Sequence, residues 1–272
     1  MDIKPIWEVT IRGPLSANSL PHWPCPRCKT GRLLLEKTGL VFRKNRDLYR
    51  SVEFNKDDFG ENLFLGILVA VGKTLQTMQW YQARFSGFLH CDNKDCGEFV
   101  AVTGRAELPG PLMGKQVQSQ ISVHIVPEYF SPSLQLFSLR DDYPASVRAE
   151  LIRSFTVFFN ESNSAGARLR CAIERLLDDR GVAVGPLHSR LIEFSKSEVE
   201  VGSHLQAIKL LGNEGSHSGK LTRQDVLDGY EVFHHVLDEL YVARPKRARM
   251  LQNSNQLAEK FMPKAKDSEP KA

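Results

Sequence analysis

The distribution of apolar positions divides the chain into two halves with different periodicity. Up to about residue 142, short runs of β-branched and aromatic residues partly alternate with polar ones, which is typical of strands. The predicted strands lie within residues 31–43, 81–91, 97–108 and 120–130. Between them, residues 62–80 have better helical than strand character and are predicted as a helix or helical insertion.

The second half has apolar residues at helical spacing. A first helix is predicted to follow Pro144, and a second to begin at a cap formed by Ser162 or Asn163 and to end at Gly181. The apolar positions predicted to face the core of these helices are Val147, Leu151, Ile152, Phe155, Phe158, Ala165, Leu169, Ala172, Ile173, Leu176 and Leu177.

Two further helical regions complete the predicted bundle. Residues 186–211 predict one broken or two short helices, and the apolar pattern stops at Gly212, which we interpret as a helix terminator. The last helix begins at Thr222, with Asp225 as its reciprocal cap. Four amphipathic helices in about 100 residues are typical of a small bundle.

The predicted fold class is α+β, with two domains and a tail. A β-rich domain over residues 1–142 precedes a four-helix bundle over residues 143–243. From residue 244 onward the chain has eight Lys or Arg residues against three acidic ones, whereas the whole chain has a net charge of +4. Residues 244–272 are therefore predicted to be a basic, disordered tail, and the alternative is an arm that binds nucleic-acid phosphates.

The hydropathy of the chain and its first residues indicate the cellular compartment in which the protein is expected. The longest apolar run, residues 63–71, is much shorter than the roughly 20 residues needed to cross a bilayer. No basic and apolar secretory signal opens the sequence. We therefore expect a cytoplasmic protein without a membrane partner. In that compartment cysteines are mostly reduced, which favours metal binding over disulfides.

Two short cysteine pairs carry the clearest chemical prediction. Cys25 and Cys28 are separated by two residues, and Cys91 and Cys96 by four. Two such turns brought together supply four thiolates in a tetrahedron, which is the coordination that structural zinc prefers. We predict one structural Zn²⁺ held by these four cysteines, with His90 in place of one cysteine as a variant. The fifth cysteine, Cys171, is interpreted as a small buried hydrophobic residue.

Two polar motifs in the helical half support a family resemblance. They are Arg170-x-x-Ile173-Glu174 and the stretch from Gly212 to His217. In this order and spacing, together with the last helix and the cysteine pairs, they resemble an uncharacterised bacterial domain-of-unknown-function family, number four-one-four-five. That family is similar to the HEPN helical bundles, and the resemblance covers about residues 130–242.

The resemblance implies a site at the end of the third helical region. Many HEPN domains are metal-independent ribonucleases of toxin and phage-defence systems, and their motif has an arginine, a polar residue and then a histidine. Asn213 and His217 match the last two positions, but Gly212 stands where the arginine would be, and glycine cannot stabilise charge that develops on phosphate. The candidate site residues are His217, Asn213, Arg170, Glu174, Lys209 and Arg168.

Three functional hypotheses follow. The missing arginine favours a non-catalytic HEPN-like binding and assembly module with structural zinc, in a bacterial defence or nucleic-acid-processing system. Its first expected partner is a second copy of the chain, since HEPN-type bundles are often dimeric. The alternatives are a metal-independent ribonuclease that uses His217, and a protein that binds RNA or another nucleic acid through its basic tail. In the non-catalytic hypothesis, His217 joins two helices as a polar lock.

Overall fold

The first half of the chain forms a short helix and an antiparallel sheet. The computed structural model describes residues 4–36, 40–50, 80–109, 123–217 and 221–261, so the helix predicted over residues 62–80 lies outside them except for residue 80. Helix α1 (Lys4–Arg12) comes first. The strands are β1 (Leu15–Ser16), β2 (Leu33–Leu35), β3 (Val41–Arg50), β4 (Trp80–Cys91), β5 (Phe99–Pro109) and β6 (His124–Ser131).

Strand β4 organises the sheet. The strand order is β1-β6-β5-β4-β2, and β3 pairs with β4 on the same edge as β2. Side chains of β4 and β5 alternate between buried and exposed, so the sheet has one face in the core and one facing solvent. The pairing of Leu33 with Cys91 places the start of β2 beside the end of β4. This register brings the two cysteine turns together.

The second half is helical, which confirms the mixed α+β class. The helices are α2 (Ala145–Phe158), α3 (Ser162–Asp179), α4 (Leu187–Ser197), α5 (Val199–His217), α6 (Arg223–Asp238) and α7 (Arg244–Phe261), with a π-helical segment (Glu239–Ala243) before α7. The third predicted region is thus two helices, α4 and α5. None of the helices in the described ranges has the length and hydropathy needed for a bilayer crossing.

Several predicted helix ends agree with the structure, but the predicted start of α3 does not. Thr222 and Asp225 form the reciprocal cap of α6, and Gly181 has a φ of 72° just after α3. The predicted cap of α3 at Ser162 or Asn163 is wrong, because the side chain of Glu161 accepts the hydrogen bond from the backbone N–H of Asn163. The hydroxyl of Ser162 instead donates to the carbonyl of Leu221.

Gly212 does not end a helix. Helix α5 continues through it to His217, so the interpretation of Gly212 as a terminator is wrong. A glycine in a helix interior costs only about 1 kcal/mol relative to alanine. The packing of α5 against α3, α4 and α6 outweighs that local cost. Ile152 also differs from its predicted core position, because its side chain on α2 is 44% exposed.

The predicted disordered tail is helical over its first part. Arg244–Phe261 forms α7, which has no buried residue. Pro245 has no N–H to continue the α-helical pattern, and the π-helical segment just before it accommodates this break. Arg244 forms ion pairs with Glu198 and Glu239, and Arg247 also contacts Glu239. These contacts hold the start of a helix whose composition suggested disorder.

The sheet and the helices share one hydrophobic core. Trp7 on α1 is fully buried, donates its indole N–H to the carbonyl of Leu136 at 2.8 Å and packs against Phe159 after α2. Phe130 of β6 also contacts Phe159, with ring centroids 4.9 Å apart. The aromatic side chains therefore connect the buried face of the sheet to the helical half.

Candidate metal centre and adjacent cleft

The four predicted cysteine ligands lie together. Cys25 and Cys28 occupy the turn before β2, Cys91 ends β4, and Cys96 lies in the turn that follows. The sulfur atoms of all four are within 4.8 Å of one another. The two cysteine turns are 62 residues apart in the chain, and the β2–β4 pairing joins them.

The sulfur spacing fits a tetrahedral ion. The Sγ–Sγ distance is 3.7 Å for Cys25–Cys96 and also for Cys28–Cys91. A zinc–sulfur bond of about 2.3 Å gives a tetrahedron whose edges are about 3.8 Å. A disulfide requires a sulfur separation of about 2.05 Å, so these cysteines are not bonded in pairs. The cluster can therefore hold a metal ion.

Backbone amides point at the sulfurs and favour thiolates. The N–H of Gly31 donates to Cys28 Sγ at 3.2 Å and is the main cause that lowers the pKa of Cys28 to about 6. Burial raises the pKa of Cys25 and of Cys91, although backbone N–H groups also donate to both sulfurs. Burying several thiolates together is costly without a cation, so this donor set fits a divalent soft ion.

Gly31 is required by the close approach of the second turn. A Cβ atom at this position would lie 2.3 Å from Cys91 Sγ, which is far inside van der Waals contact. Lys29 follows the first pair with a φ of 61°, and Gly97 follows the second with a φ of 62°. The sequence alone did not indicate a role for Gly31, because that role depends on contact with a distant segment.

The His90 variant of the metal site is wrong. His90 precedes Cys91 on β4, and successive side chains of a strand point to opposite faces. The cluster found among the described residues contains the four cysteines without His90. Cys171 on α3 is half-buried, and burial raises the pKa of its thiol. This position agrees only partly with the predicted buried packing role.

A cleft of about 440 Å³ lies beside the cysteine cluster. Its walls come from the first cysteine turn, α1, the segment after β6, and α6. Side chains and backbone that define it include Trp7, Gly31, Arg32, Gln135, Phe137 and His234. Because the walls come from both halves of the chain, the cleft could not be predicted from the sequence pattern.

The cleft combines an aromatic wall with positive charge. The imidazole of His234 stacks on Phe137 with centroids 4.6 Å apart, and burial lowers the pKa of this histidine. Among the described lining residues, four are Lys or Arg and one is a carboxylate. They are Lys4, Lys29, Arg32, Arg140 and Glu231.

Two polar groups of the cleft are available to bind a ligand. The guanidinium of Arg32 makes no ion pair with any described residue. The Nε2 of Gln135 donates to the carbonyl of Pro26, while its Oε1 is buried and has no hydrogen-bond partner in the described part of the chain. A buried acceptor without a partner is costly, and a ligand donor would remove that cost.

The residues of the HEPN-like motif are less completely described. Arg170 Nε lies 3.8 Å from Glu174 Oε1 on α3, and Arg168 lies 3.5 Å from Glu150 on α2. Lys209 Nζ lies 3.2 Å from His188 Nδ1, so it contacts α4. Asn213 and His217 are on the last turns of α5, and their side chains lie outside the described part of the structure.

Comparison with known families supports one assignment. Residues 153–254 match the family model described as Domain of unknown function (DUF4145), which covers most of the helical half and the first part of α7. The resemblance to that uncharacterised family is confirmed for these residues. No curated protein and no solved structure matched the chain.

Proposed function

We propose that this protein is a non-catalytic, HEPN-like binding module with a structural zinc ion, whose binding site is the cleft beside the metal centre. The observation that carries the proposal is the shared wall: Cys25 and Gly31 belong both to the cysteine centre and to the cleft. A metal at this position fixes the turn that forms one side of the binding site.

Zinc in this centre has a structural role in the proposal. The four cysteines supply every ligand of a tetrahedral ion, which leaves no position for a substrate or a water nucleophile. The backbone donors around the sulfurs compensate thiolate charge and hold the turns in one geometry. An ion at this centre therefore holds the fold and does not assist hydrolysis.

The cleft takes an anionic ligand with an apolar or planar part. Its volume lies in the range of ordinary small-molecule sites, about 300–1,000 Å³. Arg32 offers a planar guanidinium, which suits phosphate or carboxylate, and Phe137 with His234 offers an aromatic surface. Nucleotides and single-stranded RNA combine these two features, so RNA is the partner that we propose.

We expect Arg32→Ala to weaken RNA binding about tenfold or more, because a charged hydrogen bond contributes about 1.5–3 kcal/mol. The measurement is fluorescence anisotropy with a labelled single-stranded RNA oligonucleotide and the full-length protein. Arg180→Ala is the matched control, since Arg180 is exposed, follows α3 and does not line the cleft. Equal weakening by both variants, or no binding by the wild type, contradicts an RNA site in the cleft.

A homodimer remains part of the proposal, and α7 supports it. This helix has no buried residue and exposes Met250, Leu251, Leu257 and Phe261. Most of the stability of a helix in a protein comes from packing of one of its faces, so cover by a second copy accounts for a long helix with exposed apolar side chains.

The ribonuclease is the second candidate, and the continuity of α5 favours it. Because the helix continues through Gly212, Lys209, Asn213 and His217 follow one another at intervals of four residues. Positions with that spacing lie on one helix face. A compact polar face is therefore available at the end of α5, although it lacks the arginine of the motif.

The two candidates predict different effects of His217→Ala. Under the favoured proposal, purified wild-type protein does not cleave RNA, and the substitution lowers the free energy of unfolding by about 1–3 kcal/mol because it removes a hydrogen-bonding partner. Under the ribonuclease hypothesis, stability is nearly unchanged and cleavage is lost. Denaturant unfolding and a gel-based cleavage assay on the same preparations distinguish these results.

A further inference from the structure

A second group of metal-binding side chains lies in the helical half, outside the cleft. Glu200, His204 and His235 each offer one ligand atom, and these atoms lie within 4.8 Å of one another. The imidazole rings of the two histidines are nearly perpendicular, with centroids 5.6 Å apart. None of the three residues lines the cleft beside the cysteine centre.

The helices place these residues together. Glu200 and His204 are four residues apart at the beginning of α5, so they occupy one face of the helix. His235 belongs to the last turn of α6, which packs against α5. The cluster therefore spans two helices that pack against each other in the helical half.

The three side chains make no polar contact that would explain their position in the fold. Within the described residues, no hydrogen bond or ion pair involves the side chain of Glu200, His204 or His235. Neighbouring polar groups differ: Glu198 pairs with Arg244, and His234 lies 3.4 Å from Asp238. A carboxylate and two imidazoles thus lie within 4.8 Å of one another, and none of them has another polar partner among the described residues.

We infer that Glu200, His204 and His235 form a second metal site, which binds a divalent transition-metal ion such as Zn²⁺, Co²⁺ or Ni²⁺. Two imidazoles with one carboxylate suit these ions, whereas Mg²⁺ and Ca²⁺ prefer sites made of oxygen ligands. Ligand distances of about 2.0–2.2 Å require the three groups to approach each other further. Side-chain rotation permits this, because Glu200 and His235 are exposed and His204 is half-buried.

This site differs in character from the cysteine centre. Three protein ligands leave at least one coordination position for water or another ligand, whereas four cysteines leave none. Its exposure makes the bound ion exchangeable. The inference does not depend on the proposed RNA-binding cleft, because it uses other residues and another ligand.

The test is a Co²⁺ titration of the full-length protein as purified, with its cysteine-bound metal retained. We expect visible d–d absorption that saturates at one equivalent and has no thiolate-to-cobalt charge-transfer band, since no sulfur belongs to this site. We expect His204→Ala and His235→Ala each to abolish the saturable band. Glu200→Gln keeps the size of the side chain and should weaken Co²⁺ binding at least tenfold.

His188→Ala is the matched control, because His188 is also an exposed helical histidine but contacts Lys209 instead. It should bind Co²⁺ as the wild type does. Circular dichroism establishes that each variant is folded, and added Zn²⁺ should raise the melting temperature of the wild type but not of His235→Ala. A band that persists in the His204→Ala/His235→Ala double variant, or the absence of saturable binding in folded wild-type protein, overturns the inference.

Discussion

If the proposed structural zinc is present, Cys96→Ser protein is expected to bind no zinc at this centre and to be much less stable than the wild type. Cys96 lies half-buried in the turn after β4, so the exchange of sulfur for oxygen changes little packing of its own. It does remove one of four ligands from a centre that joins turns 62 residues apart in the chain. In zinc-finger peptides the metal contributes about 10–16 kcal/mol of apparent binding free energy, which becomes folding free energy.

The expected fall in melting temperature is large. A loss of even about 4 kcal/mol lowers the melting temperature by roughly 10 °C, because 1 kcal/mol corresponds to about 2–4 °C in a chain of this size. Elemental analysis should find about one zinc fewer per chain than in the wild type. Calorimetry of the same preparations gives the stability.

Cys171→Ser is the matched control for this experiment. It makes the same chemical change at another half-buried cysteine, which lies on α3 and outside the metal cluster. It should retain zinc and lose much less stability than Cys96→Ser. If the two variants have the same metal content and the same melting temperature, the cysteine centre does not hold a structural ion.

The cysteine cluster was predictable because the spacing within each cysteine pair is a local feature of the sequence. Each cysteine pair is a short turn, and the spacing alone indicates two sulfurs facing one ion. The His90 variant is wrong because successive side chains of β4 point to opposite faces, so His90 and Cys91 do not share one. The need for glycine at residue 31 arises from contact with Cys91, which is distant in sequence.

The helical half was predictable where the apolar pattern was regular. The positions predicted to face the core on α2 and α3 are buried, apart from Ile152. The prediction that Gly212 ends a helix and the prediction of disorder for the segment now seen as α7 were wrong for the same reason. Both assumed that local helix propensity decides where helices end. Instead, the packing of α5 against its neighbours and the ion pairs of Arg244 decide how far these two helices extend.

Sites that combine distant segments could not be predicted. The spacing of Glu200 and His204 is visible in the sequence, but nothing there brings His235 beside them. The cleft likewise needs α1, which the apolar pattern does not predict, although Pro5 suits the first turn of a helix. The periodicity of apolar residues does not show which distant segments of the chain come into contact, and both sites depend on such contacts.

Trp7→Ala is expected to destabilise both halves of the protein together. The indole is fully buried, its N–H donates to the carbonyl of Leu136, and its ring packs against Phe159. Removing a buried aromatic ring costs about 3–5 kcal/mol, and the carbonyl also loses its donor. Since the core is continuous, near-ultraviolet and far-ultraviolet circular dichroism should report a single transition that moves to lower denaturant concentration.

Two further substitutions on α1 test whether the loss of stability in Trp7→Ala comes from the buried ring and its hydrogen bond. Val9→Ala changes an exposed apolar side chain of α1 and should alter the free energy of unfolding by less than about 0.5 kcal/mol. Trp7→Phe keeps an aromatic ring but removes the donor to Leu136, so its effect should lie between those of the other two. Two separate transitions in Trp7→Ala, with only one of them shifted, would show that the sheet and the helical half unfold independently, and the continuous core would then not couple them.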